Sequence, residues 1–185
     1  TEGHVLVVRG DRAYEGRLLE DEADIATPKL WLYENLIKTK EIQEQLETHP
    51  YHKLFDGVGF SSLAALGYHA KQIGRKVVVV MARQHVPPQK IVEKYGIEVI
   101  SAIGHVEEGY IRAQAETIRD REDIIPLHQA LYGARALSPI GNNIVEQLRD
   151  RGIKPDATFW CLASGANLYG IGRKIKQHFP DCKTV

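Results

Sequence analysis

From residue 54 onward, apolar and polar positions alternate in blocks. Leu54-Phe55-Asp56-Gly57-Val58-Gly59 reads as a strand running into a turn. Leu63, Leu66, Ala70 and Ile73 then recur at helical spacing, and Gly74 stops that helix. Lys76-Val77-Val78-Val79-Val80-Met81 has no polar alternation, which predicts a strand buried on both faces. Pro87 and Pro88 open a helix through Ile91, Val92 and Tyr95, stopped by Gly96. Strand 98–103, an amphipathic helix over 106–121 and a short strand 124–127 follow, with Pro126 pointing to a sheet edge. Residues 132–139 read as a loop; Ile140, Ile144 and Leu148 line a helix closed by Gly152; 157–162 reads as a strand. Leu168, Ile171, Ile175 and Phe179 line a last helix, and 183–185 begins another strand. Upstream, Leu30-Trp31-Leu32-Tyr33 reads as a strand and residues 4–9 as a further one, while 15–24 is acidic and weakly patterned.

Strand–helix alternation at this spacing predicts an α/β three-layer fold with mostly parallel strands and right-handed crossovers. In such sheets ligands bind beyond the carboxyl ends of the strands, where Gly57–Ser62 and Ala163–Asn167 fall.

Composition narrows the function. The 185 residues carry 24 Lys plus Arg against 24 Asp plus Glu, so bulk charge gives no drive toward nucleic acid. No apolar run is long enough for a membrane-spanning helix, and Thr1-Glu2-Gly3-His4 is not a secretory signal. Cys161 and Cys182 do not make a disulfide framework, so a cytoplasmic protein is expected. His49 and His52 lack the further ligands that zinc needs. Cys161, inside a predicted strand, reads as core.

Two segments carry candidate chemistry. Glu34-Asn35-Leu36-Ile37-Lys38-Thr39-Lys40 places a lysine at a predicted helix start. Cys161-Leu162-Ala163-Ser164-Gly165-Ala166-Asn167-Leu168 is an apolar strand entering a Ser-Gly turn that opens a helix. A lysine able to attack a carbonyl and a helix start able to hold a phosphate are the parts that bind pyridoxal 5'-phosphate (PLP) covalently. On residues alone, Lys38 and Lys40 read as solvated helix positions, and Ser164 as a plain N-cap. Ser61 and Ser62 read either as N-caps or as receivers of a substrate carboxylate.

The order of these segments resembles the fold-type II PLP enzymes, the superfamily of the tryptophan synthase β subunit. Cysteine synthase, threonine synthase, and the ACC deaminase and D-cysteine desulfhydrase group belong to it. Thr27-Pro28 and Leu30 to Asn35 resemble the superfamily's Thr-Pro and the strand leading to Glu-Asn. Lys38-Thr39-Lys40 resembles its cofactor-lysine motif, 64–71 its helix after the substrate loop, Tyr95-Gly96-Ile97-Glu98-Val99 its Tyr-Gly-Ala-Glu-Val, and 163–171 its phosphate loop. The resemblance covers residues 27–185. It implies that Lys38, with Lys40 as the fallback, carries PLP. It further implies that Ser164, Gly165, Ala166 and Asn167 cradle the phosphate and that Ser61 and Ser62 meet the substrate. Ser61 stands where the superfamily has an asparagine against the cofactor ring.

The implied function is a PLP-dependent lyase-like reaction on a small amino acid, by α-proton removal with β-elimination or deamination. The chain stops at Val185, where the superfamily continues, so an incomplete form of the fold is expected, with a homodimer mate or partner covering the edge. A non-catalytic, partner-binding module of the same fold is the alternative. The expected organisation is an N-terminal segment (1–53) bearing the lysine, a small α/β lobe (54–130) and the start of a large lobe (131–185) with the phosphate loop.

Overall fold

The computed structural model describes Leu6 and residues 28–102, 106–160 and 164–185. The readings at 4–9, 15–24, Thr27 and Cys161–Ala163 therefore fall wholly or mainly outside the described residues. Strands β1 (Lys53–Gly57), β2 (Val77–Ala82), β3 (Ile97–Ala102) and β4 (Ile124–Pro126) form one sheet in the order β3-β2-β1-β4. Every pairing is parallel, with Leu54 opposite Val77 and Ile125, and Val79 opposite Val99. Helices α3 (Phe60–Gln72), α4 (Gln89–Tyr95) and α5 (Val106–Asp120) make the three crossovers. The sequence places each within a residue or two. Gly74 and Gly96, at φ +67° and +60°, end α3 and α4 in the left-handed region that glycine enters without Cβ strain. Pro126 costs no ladder bond because β4 is an edge strand.

The pleat sends alternate residues of the central strands to opposite layers. Leu54, Val77, Val79 and Met81 join one core with residues of α3, while Phe55, Val78 and Val80 face α5 through Tyr110, Ala113 and Ile118. This two-sided burial explains the unbroken valine run of β2, all six residues of which are buried. The first core also takes in two helices, α1 (Pro28–Ile37) and α6 (Gln129–Asp150).

Both correct the sequence reading. Leu30–Tyr33 is helical, not a strand. Leu30, Leu32, Tyr33, Leu36 and Ile37 are all at most 5% exposed, so the apolar run is one broad helix face. Pro28 starts α1 at the position where a missing N–H costs nothing. Residues 132–139 are not a loop but lie inside α6. Pro139 interrupts that helix's bonding, at a cost of ~3 kcal/mol, but sits on its exposed side. Gly133, Ala136, Leu137, Ile140, Gly141 and Val145 are buried on the other, which offsets the cost. Lys38 lies in the turn between α1 and α2 (Lys40–Thr48), after a helix rather than at the start of one. Beyond α6, β5 (Ala157–Thr158) pairs in parallel with β6 (Lys183–Thr184). Between them, the expected helix runs unbroken over 166–178, with a π-helical turn (Leu168–Gly172) leading into α7 (Arg173–His178).

At the amino ends of the large sheet, Lys53 reaches Glu98 at 3.0 Å and Asp123 at 3.1 Å, and Arg121 pairs with both acids. The side chains of Glu98 and Asp123 are 46% and 49% exposed, so solvent screens the network. Arg121→Met is expected to cost about 1 kcal/mol, shrinking at high salt, as chemical denaturation at two ionic strengths would register.

Candidate active site

The strand order reverses between β1 and β4. From β1 the chain winds outward through β2 and β3, then returns to β1's other side as β4. The crossover helices next to this seam lie on opposite faces of the sheet, which leaves a crevice at the carboxyl ends of β1 and β4. Asp56 and Gly57 end β1 there, and Leu127, His128 and Gln129 leave β4 there. The mirror position, at the amino ends, is filled by the ion network.

Asp56 is the centre of this crevice. It is 3% exposed and accepts hydrogen bonds from the Gly57 backbone N–H (2.9 Å), the Tyr33 hydroxyl (3.2 Å) and the Gln129 backbone N–H (3.3 and 3.4 Å). Burial raises its pKa to about 7, with those bonds and Lys29 opposing the rise. Tyr33 and Tyr110 have their phenol pKa values raised, chiefly by burial and then by the Asp56 charge. Tyr110 and Gln114 of α5 approach from the far face: a Cβ on Gly57 would lie 2.5 Å from the Tyr110 hydroxyl and 2.4 Å from Gln114 Cδ. Glycine at 57 thus lets α5 close over the end of β1.

Lys29, in the first turn of α1, points its Nζ at Gln129 Oε1, 2.9 Å away. Its pKa is lowered by desolvation, and the Asp56 charge works the other way. The same Gln129 oxygen accepts from Ser62 Oγ (3.4 Å), and Gln129 Nε2 donates to the Gly57 carbonyl (2.6 Å). A partly dehydrated amine, a carboxyl that titrates near neutrality and an amide linking them are therefore gathered at the switch point. A lysine nearer its neutral form is a nucleophile toward carbonyl carbon.

Asp56 gives the fold a defined pH dependence. Its pKa is raised from 3.8 to about 7, so the folded state holds the proton more tightly than the unfolded chain. The stabilisation is complete below the unfolded value and is lost as pH rises through about 7. The loss is on the order of 2–4 kcal/mol. Denaturation of the wild type between acid and mildly alkaline pH should show this decline. Asp56→Asn, which cannot titrate, should lack it; parallel profiles would refute the assignment.

The other predicted residues are placed as follows. Lys38 has a side chain 67% exposed and ion-paired to Glu34, and Lys40 one 86% exposed at 3.5 Å from Glu44. Along α1, Lys38 is about 14 Å of helix rise from Lys29, at the end away from the crevice. Ser62 is buried against Gln129 in the first turn of α3, and Ser61 beside it is exposed. Ser164, Gly165 and Ala166, with Leu168 and Tyr169, face Ala130, Leu131 and Ala134 of α6 across an open cleft of about 410 Å³. The Ala166 N–H donates to Ser164 Oγ at 3.4 Å, and Gly165 has φ +74°. Asn167, the next residue, is exposed. Gln129 immediately precedes Ala130, so the residue that holds Lys29 adjoins the cleft wall. The structure thus joins Ser62 with Lys29, Asp56 and Gln129, and brings Ser164–Ala166 to the same helix end. It brings neither Lys38 nor Lys40 there. Sequence reasoning missed Lys29, Asp56 and Gln129. The available signal was Pro28: read as the first residue of a helix, it puts Lys29 in the opening turn.

No family model matches the sequence, and no curated protein does. Solved structures do. A hydrogen sulfide-producing enzyme in complex with an α-aminoacrylate intermediate superposes with a TM-score of 0.73 at 19% identity, over 84% of this chain and 48% of that one. The chain has the fold of the fold-type II PLP enzymes. O-ureido-L-serine synthase matches at TM-score 0.67 and 18% identity, over 84% of this chain and 49% of its own. Escherichia coli diaminopropionate ammonia lyase, in apo form, matches at 0.66 and 12%, over 84% and 48%. This chain therefore spans about half the length of the structures that share its PLP-enzyme fold. Among the described residues, no helix is long and apolar enough to cross a membrane, and no group of three or more His, Cys, Asp or Glu is placed to hold a metal.

Proposed function

We propose that the chain forms the lysine-bearing part of a PLP-dependent, lyase-like enzyme acting on a small amino acid, and that Lys29 carries the cofactor. The observation that supports this most is the partly dehydrated Lys29 amine at the switch point of a sheet with this fold. The chemistry of the residues fits the group. Lys29 supplies a nucleophilic amine. Ser164–Ala166, with Gly165 in the left-handed region, supply a turn suited to phosphate, to which Asn167 would add its amide. PLP, when bound, supplies an electron sink for the charge left on Cα by proton removal.

The chain's own residues supply the rest. Ser62, held against Gln129, and Ser61 beside it orient the substrate carboxylate at the start of α3. Asp56 holds a proton near neutral pH, and its ionisation moves Lys29 toward the ammonium form. Burial of Tyr33 and closure of α5 over Gly57 keep water from the carboxylate. The solved neighbours are named for hydrogen sulfide production, O-ureido-L-serine synthesis and ammonia loss from diaminopropionate, which supports an amino acid with a heteroatom on Cβ as substrate. Incubation with PLP, borohydride fixation and peptide mapping test the reading. An adduct confined to Lys29 is expected. An adduct on Lys38 or Lys40 would return the role to that residue, and none on any lysine would remove PLP from the account.

A further inference from the structure

Among the described residues, His128 is the sole non-glycine with positive φ, at φ 51° and ψ 50°. Such a backbone costs about 1–2 kcal/mol in a residue with a Cβ, and strain of this kind persists where surrounding contacts hold it. Up to Leu127 the chain still follows the sheet, its N–H bonded to the Phe55 carbonyl at 2.9 Å. The left-handed step at His128 then turns α6 so that its first residue, Gln129, lies over the end of β1. The backbone N–H of Gln129 meets the Asp56 carboxyl, and its side chain folds onto Gly57.

This anchoring fixes the amide's orientation. The Gly57 carbonyl only accepts, so the Gln129 nitrogen must face it, and Oε1 must face away, toward Lys29 and Ser62. We propose that Gln129, aimed by the His128 turn, is the positioning residue of the site: its uncharged oxygen holds Lys29 Nζ at the carboxyl end of β1 without supplying a counter-charge. The proposal rests on Lys29 being the cofactor lysine. A carboxylate here would hold the same nitrogen as an ammonium, and an apolar side chain would withdraw this contact from it.

Among the described residues, Asp56 of β1 acts on Lys29 directly, Tyr33 on α1 and Tyr110 of α5 face Asp56, and His69 of α3 bonds the carbonyl of the next residue, Leu30, at 2.9 Å. On α6, Arg135 faces Glu41 instead.

Competitive acetylation with acetic anhydride across pH, quantified lysine by lysine on the full chain, tests this without any cofactor. Gln129→Glu should raise the midpoint of Lys29 reactivity, reducing its labelling about tenfold below that midpoint. Gln129→Met, which removes the acceptor, should lower the midpoint. Lys38 and Lys40 should not move and serve as internal references. Opposite shifts from two substitutions are not what simple loosening of the fold produces. Midpoints that stay in place, or move the same way in both variants, would overturn the proposal. Failure of PLP to attach to any lysine would instead remove the cofactor reading, while the acetylation profile would still judge Gln129.

Discussion

The visible absorbance band and the borohydride-fixed adduct expected of the wild type with PLP should be lost in Lys29→Ala and kept in Lys38→Ala and Lys40→Ala. The expectation follows from where α1 begins. Its first turn stands at the carboxyl end of β1, so Nζ of Lys29 meets Gln129 and feels Asp56. Desolvation brings that amine closer to its reactive form than a solvated lysine. Lys38 and Lys40 stay in solvent with carboxylate partners, Glu34 and Glu44. Lys29→Arg makes the sharper control, because it keeps the charge and the hydrogen bond but cannot form the covalent link. A band that survives Lys29→Ala and disappears in Lys38→Ala would show that the cofactor sits at the other end of α1.

Gly170→Ala is expected to cost about 3 kcal/mol of stability, toward the top of the range for over-packing. Gly170 lies in the π-helical turn, where a Cβ would come within 2.4 Å of the Ala134 carbonyl oxygen and 3.1 Å of Leu137 Cβ. The obstacle is backbone of α6, which cannot rotate away as a side chain would. Relief requires the turn and α6 to separate, and Ala134 is part of the cleft wall. The substitution should therefore lower the denaturation midpoint and weaken PLP binding together. Gly59→Ala provides the comparison. Its backbone is extended, at φ −98°, and an added Cβ meets nothing within 4 Å, so its cost should stay within about 1 kcal/mol. Equal effects at the two positions would show that the contact between α6 and the π-helical turn yields readily.

The parallel sheet was legible because its signals are local. A run such as Val77–Val80 can be satisfied only by burial on both faces, and Gly74 and Gly96 stop helices for a reason that belongs to a single residue. The place of Ser62 was legible in the same way, since it follows β1 at a turn. Asp56 was not. Nothing in Leu-Phe-Asp-Gly says that the aspartate will be covered by Tyr33 from one layer and Tyr110 from the other.

The pairing of Lys29 with Gln129 joins residues 100 positions apart. It depends on β4 returning to β1's free side and on the left-handed step at His128, neither of which a local pattern encodes. The sequence by itself determined the strand–helix alternation, the parallel sheet, the likeness to PLP enzymes and the turn at Ser164. Tertiary structure decided the state of Leu30–Tyr33. Those four residues are apolar enough for a strand, yet Leu30, Leu32 and Tyr33 also share a broad helix face with Leu36 and Ile37, which leaves Trp31 at its edge. The choice between the two was made by the partners that cover them, α3 and α6, far along the chain. Because a helix has its own two ends, that choice also decided which lysine reached the crevice: Lys29, at the end beside β1, and not Lys38.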